Sequence, residues 1–128
     1  MRAVDTNVLV RLVVRDDADQ VRVADEFVAG DAWVSHLVLA GTMWVLDAVY
    51  ERTPEQIATA VDMLRNHQQL TVQDSDVVAA AIERFRKRPS LRFSDCLVLE
   101  IARKAGNLPL ATFDRHLSKL GDAVRLQS

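Results

Sequence analysis

The chain opens Met1-Arg2-Ala3-Val4-Asp5-Thr6-Asn7-Val8-Leu9-Val10-Arg11-Leu12-Val13, and two periods follow one another in this stretch. Arg2 to Asp5 is a candidate strand, a short apolar run closed by a carboxylate. From Thr6 the apolar residues Val8, Leu9, Leu12 and Val13 recur three and four apart, the spacing of one helix face. The far end of the chain repeats the arrangement. Leu108 to Thr112 is a candidate strand, Asp114 to Leu120 a short helix, and Ala123 to Leu126 a last strand. Pro109 lacks a ladder donor, so it belongs near the start of its strand.

Between these ends, short apolar runs alternate with longer segments of helical period. Asp17 to Ala29 is a helix buried through Val21, Ala24 and Val28, followed by a strand from Ala32 to Ser35. His36 to Tyr50 is apolar almost all round, which predicts a central helix packed on several sides. Thr53-Pro54-Glu55-Gln56 opens the next helix with a capping box, and Ile57, Val61 and Leu64 form its buried stripe. Gln69 to Gln73 is a strand, and the helix after it turns Val78, Ala81, Ile82 and Phe85 inward. Ser94 begins a helix with Leu97, Ile101 and Ala105 inward and Gly106 just past its end. Strands alternating with helices predict an α/β fold with a short parallel sheet covered by helices on both faces.

Nothing in the composition breaks residues 1–128 into more than a single domain. There are 4 Gly and 3 Pro, no repeat and no low-complexity linker. Apolar residues make up 49% of the chain, enough for a core without staples. The net charge of −2 gives no whole-protein field for nucleic acid, so a polyanion must be held by a local patch. Cys96 is the one cysteine, which excludes an internal disulfide and suits a reducing compartment. No signal peptide is read before the first strand, and no apolar run approaches the ~20 residues of a membrane span. A cytoplasmic protein is expected.

Three aspartates carry the candidate chemistry. Asp5 and Asp114 each stand where a strand gives way to a helix, the edge at which open α/β sheets bind ligands. Asp95 starts a helix after a basic loop, Arg84 to Phe93. If these ends converge, three carboxylates share one small space, and a cation relieves their repulsion. Hard oxygen donors suit Mg²⁺ or Mn²⁺. Each aspartate taken singly is better read as a helix cap, worth about 1 kcal/mol, and the metal reading rests on their combination.

The strings Val4-Asp5-Thr6-Asn7 and Ala111-Thr112-Phe113-Asp114, with Phe93-Ser94-Asp95 between them, resemble the PIN domain family, and in particular its VapC-type toxins. The resemblance covers nearly the whole chain. It implies a three-layer sandwich whose first and fourth strands are neighbours, and a Mg²⁺- or Mn²⁺-dependent ribonuclease cleaving RNA phosphodiesters. It implies Asp5, Asp95 and Asp114 as metal-binding catalytic residues, with Thr6, Asn7 and Thr112 as polar supports. It further implies a homodimer and a cognate VapB-like antitoxin. That partner would block the metal site, docking on exposed apolar residues of the helices after Asp17 and Pro54.

One position departs from the family. The string Val38-Leu39-Ala40-Gly41-Thr42 places Gly41 where the family has glutamate, and glycine inside a helix costs about 1 kcal/mol relative to alanine. Three explanations stand. The glutamate has been substituted, the natural protein works with three aspartates, or packing demands a small residue. Asp47, six residues on, points about 120° away and cannot replace it. Little or no cleavage is expected of the chain as written. The rival class is a binding module that holds metal, RNA or antitoxin without cutting. A phosphatase of the aspartyl-nucleophile type is disfavoured, because Asn7 stands where its second aspartate belongs.

Arg84, Arg86, Lys87, Arg88 and Arg92 precede Asp95, and Arg115 and Lys119 flank Asp114. Arg86, Lys87, Arg88, Arg92 and Arg115 are candidate contacts to RNA phosphates; a solvated helix end accounts for the same run. His36, His67 and His116 lack metal-ligand spacing. Cys96 reads as a small core residue, and Phe27, Trp33, Trp44 and Phe85 as core or interface anchors.

Overall fold

The computed structural model describes residues 1–128. Two compact units make up the chain, Met1–Ser75 and Asp76–Ser128. The α/β class holds, with six helices and short parallel strands.

The first unit runs β1 (Arg2–Ala3), α1 (Thr6–Val14), α2 (Ala18–Val28), β2 (Ala32–Val34), α3 (His36–Ala48), α4 (Pro54–Arg65) and β3 (Leu70–Val72). Its strands form one parallel ladder in the order β1-β2-β3, with Arg2 opposite Ala32 and Val34 opposite Val72. Each helix carries its own start signal. Asp5, Asp17, Ser35 and Thr53 precede α1 to α4 in extended backbone, and each side chain accepts a hydrogen bond from the first turn. Thr53 and Gln56 complete the capping box, Gln56 N donating to Thr53 Oγ1 at 3.2 Å and Thr53 N donating to the Gln56 side-chain Oε1 at 2.9 Å.

Burial follows the sequence period on α2 (Val21, Ala24, Val28) and α4 (Ile57, Val61, Leu64). On α1 the buried residues are Leu9, Val10 and Leu12, while Val8 and Val13 are half-buried. This helix packs against both α2 and α3, so its buried arc centres between the two neighbours. α3 was expected to be covered on several sides. It buries Leu39, Thr42, Met43 and Leu46 but leaves Leu37 83% and Trp44 55% exposed. An apolar composition all round does not ensure burial when one face meets no neighbour.

The second unit runs α5 (Ser75–Lys87), α6 (Phe93–Lys104), β4 (Leu110–Thr112), a 3-10 turn (Leu117–Lys119) and β5 (Ala123–Arg125). β4 pairs in parallel with β5, Leu110 opposite Ala123. α5 buries Val78, Ala81, Ile82 and Phe85, and the Phe85 ring meets Phe93 edge-on at 6.3 Å. Gly106 takes φ +79, and its N–H bonds Arg103 O at 3.0 Å to close α6.

Four expectations are corrected. The basic run is not a loop at its start: α5 continues through Lys87, so Arg84, Arg86 and Lys87 lie on a helix. α6 begins at Phe93 rather than Ser94, and Asp95 is its third residue. Its inward stripe passes through Leu97 and Glu100; Ile101 is 38% exposed and Ala105 is exposed. Glu100 is drawn inward because two arginines neutralise it there, as described below. The helix expected from Asp114 contracts to the 3-10 turn. Within the first unit β1 is hydrogen-bonded to β2, and within the second β4 is hydrogen-bonded to β5.

Candidate metal centre

Asp5 ends the turn between β1 and α1. Its backbone is extended (φ −94, ψ 171), its carbonyl accepts from Val8 N at 3.1 Å, and its Oδ1 accepts from Thr6 N at 2.7 Å. The side chain is exposed, and its other oxygen has no partner. Across from it, α3 presents Gly41. A Cβ built at Gly41 would lie 3.1 Å from Thr6 Oγ1 and 3.8 Å from Thr6 Cγ2. Gly41, where the resemblance implies a glutamate, therefore adjoins the residue that follows Asp5. Asn7 is placed differently: with Val8, Arg11, Gln20, Val23 and Phe27 it lines a cleft of about 600 Å³ between α1 and α2.

In the second unit Asp95 sits in the first turn of α6, half-buried, and its Oδ2 accepts from Arg92 N at 3.3 Å. Asp114 is exposed. Its Oδ1 accepts from His116 N at 2.7 Å and Leu117 N at 2.9 Å, opening the 3-10 turn. These backbone donors, Leu117 first and His116 next, hold its carboxyl below the ordinary 3.8. Thr112 Oγ1 accepts from Asp114 N at 3.0 Å, so this expected support does steady the aspartate's backbone.

The three aspartates share a pattern. Each gives one oxygen to backbone N–H groups at a helix or turn start, and each keeps the other without a protein partner. Within neither unit do three or more His, Cys, Asp or Glu side chains gather as a ligand set. The donors present are carboxylate oxygens oriented by backbone hydrogen bonds, a donor type that suits a hard divalent cation and not a thiolate-bound metal. Cys96 is fully buried, and burial, reinforced by the Asp95 charge, pushes its thiol up to about 11. It is a core residue with no nucleophilic character. Among the histidines, His67 Nδ1 accepts from Gln69 N at 3.1 Å in a local turn.

The basic residues divide in the structure. Arg84 pairs with the buried Glu100, which also takes Arg103 Nε at 3.2 Å; Asp122 in turn receives Arg103 and lies 3.8 Å from Arg84. Chiefly through Asp122, this raises the Arg103 guanidinium above its ordinary value. Arg84 is thus structural. The one signal of this four-residue cluster in the sequence is a lone glutamate on the apolar stripe of α6, three residues before Arg103.

A cleft of about 500 Å³ lies beside the cluster, lined by Ala80, Glu83, Lys87, Arg88, Lys119 and Gly121 among others. No helix is long and apolar enough to cross a membrane.

The pattern that defines the PIN domain family matches residues 2–123, and the chain belongs to that family. Among solved structures it is similar to the VapC20 toxin of Mycobacterium tuberculosis, described as a sarcin–ricin-loop-cleaving toxin. The likeness is at 20% identity and TM-score 0.43, over 100% of both chains. No curated protein matches the sequence.

Proposed function

We propose that the chain is a VapC-like toxin built as a metal-dependent endoribonuclease, with cleavage impaired by Gly41. The observation that carries the reading is the shared state of Asp5, Asp95 and Asp114. In a PIN domain chain, each is fixed by a backbone N–H and each keeps a free carboxylate oxygen. These three residues would hold Mg²⁺ or Mn²⁺, which when bound supplies an activated water and neutralises charge on the phosphate under attack. Thr6, Asn7 and Thr112 are assigned as polar supports, and Arg86, Lys87, Arg88, Arg92 and Arg115 as candidate phosphate contacts. Residues 1–128 act as one functional domain in this reading, because the family match runs across both compact units.

The partners follow from the same reading: an RNA substrate, a second copy of the chain, and a VapB-like antitoxin in the cytoplasm. Val23 on α2 and Met63 on α4, 55% and 45% exposed, support the docking faces expected for the antitoxin. Leu37 and Trp44 of α3 add apolar surface for a partner.

The test is cleavage of a structured RNA pool with Mn²⁺ by three proteins: this chain, Gly41→Glu, and Gly41→Glu with Asp5→Asn. Cleavage by Gly41→Glu alone is expected. Silence from all three well-folded proteins favours a second reading, a PIN module that binds metal, RNA or antitoxin without cutting. Gly41 itself is the observation behind that reading.

A further inference from the structure

We propose that the cleft between the C-terminal half of α5 and the segment Lys119–Gly121 is a docking site for backbone phosphates of an RNA strand. The choice of RNA as occupant rests on the ribonuclease reading. Arg84, Lys87, Arg88 and Lys119 face two glutamates there, Glu83 and Glu100, so the lining carries an excess of positive charge on a chain whose net charge is −2. Glu100 is buried and paired with Arg84, so these two charges cancel and leave Lys87, Arg88 and Lys119 against Glu83. Glu83 reaches Lys87 only at 3.9 Å, with both side chains more than 70% exposed, a pairing that water and salt weaken.

Arg88 and Lys119 make no side-chain hydrogen bond or ion pair within the protein, and both are exposed at the cleft. They come from separate elements, the residue after α5 and the end of the 3-10 turn. A solvated helix end needs no cation from a second element, so simple solvation does not account for Lys119 lining the same cleft as Arg88. On the open side, a Cβ at Gly121 would meet nothing within 4 Å, so a phosphate can approach the backbone there. The cleft, at about 500 Å³, has room for more than one phosphate group. Ala80 and Leu120 are its apolar residues, and it has no aromatic surface for stacking a base. Binding there tracks the backbone and is indifferent to sequence.

The experiment is fluorescence anisotropy of a labelled RNA, without divalent metal, over a KCl series. The proteins are this chain, Arg88→Gln/Lys119→Gln, and a charge-matched control, Arg22→Gln/Arg125→Gln. Loss of two phosphate contacts is expected to weaken binding about tenfold or more at low salt. It should also make the slope of log K against log salt shallower by about 1.5, equally for unrelated RNA sequences. The control should keep the parent slope. A parent slope in the cleft variant, an equal change in the control, or no RNA binding by the parent overturns the proposal. Competition by a polyglutamate peptide as effective as by unlabelled RNA overturns it too, since the occupant would then be any polyanion. The cleavage test above is read separately. RNA held by this cleft with no cleavage from any variant removes the ribonuclease reading and leaves the docking site. Cleavage that ignores Arg88 and Lys119 does the reverse.

Discussion

Gly41 of α3 and Thr6 of α1 approach so closely that a single added carbon at Gly41 would stand 3.1 Å from the Thr6 hydroxyl oxygen. Such a contact is tight, but its far side is a side-chain end that can rotate. Two effects therefore oppose each other on substitution. Alanine removes the helix penalty of glycine, about 1 kcal/mol, and crowds Thr6. Gly41→Ala is expected to stabilise the chain by under about 0.5 kcal/mol alone and by nearer ~1 kcal/mol in a Thr6→Ala background. Urea unfolding of the four proteins measures the difference; equal gains in both backgrounds mean that the contact carries no energy.

Glu100 sets a second expectation. It is a buried carboxylate matched to Arg84 and Arg103 on the inward face of α6. Glu100→Ala leaves two guanidinium groups facing each other and a cavity behind them. Because both arginines keep part of their surface in water, the loss should be about 2–3 kcal/mol, below the full cost of breaking a buried pair. Glu100→Leu combined with Arg84→Met should recover part of that loss. A double variant no more stable than Glu100→Ala contradicts this account.

Stability should depend on pH through Asp25. Arg15, in a left-handed conformation just past α1, grips this carboxylate with both guanidinium nitrogens at 3.2 and 2.7 Å. That hydrogen bond is the main cause holding Asp25 below its ordinary 3.8. A depressed folded-state value contributes stability that is complete above the unfolded value. The contribution disappears as pH falls through the folded one. The pair is exposed, so the effect is small. Asp25→Asn should melt lower than the parent at neutral pH, with the gap closing as pH drops below the ordinary carboxylate range. A gap that stays constant into strong acid assigns the difference to something other than this charge.

Metal binding offers a readout free of catalysis. Mn²⁺ is expected to raise the melting temperature, by the mass-action gain of about 2.7 kcal/mol at a hundredfold excess over Kd. Asp5→Asn, Asp95→Asn and Asp114→Asn should each reduce the shift, and Gly41→Glu should enlarge it. A shift untouched by all three asparagines would falsify the assignment of these aspartates as ligands.

Much of this was legible beforehand. The caps at Asp17 and Thr53, the buried stripes of α2, α4 and α5, and the glycine closing α6 are local matters, set by residues within a turn or two of one another. The misreadings arise where a distant residue intervenes. Glu100 rotates the inward stripe of α6 because Arg84 waits on another helix, and no period in α6 announces an arginine sixteen positions earlier in the chain. α5 runs on through its basic residues because Arg84 is anchored and Phe85 buried. That Arg88 and Lys119 line one cleft is likewise a product of folding and is not legible as a spacing.

For the candidate site, the three aspartates and their helix-start positions were legible, as was Thr112 beside Asp114. The contact of Gly41 with Thr6 was not, since it depends on how α3 lies against α1.

In the proposed function the aspartates would carry a double duty, with a consequence for how such a chain would lose activity. Asp5 and Asp114 hold the first N–H groups of a helix or turn, and Asp95 ties the start of α6, so discarding any of them loosens the fold. A glutamate in the middle of α3 would have no such obligation to the backbone. Under pressure to silence cleavage, position 41 can drift at little structural penalty while the aspartates stay put. A surviving trio of aspartates is then a record of architecture, and the residue in mid-helix is the better gauge of whether the machinery still runs.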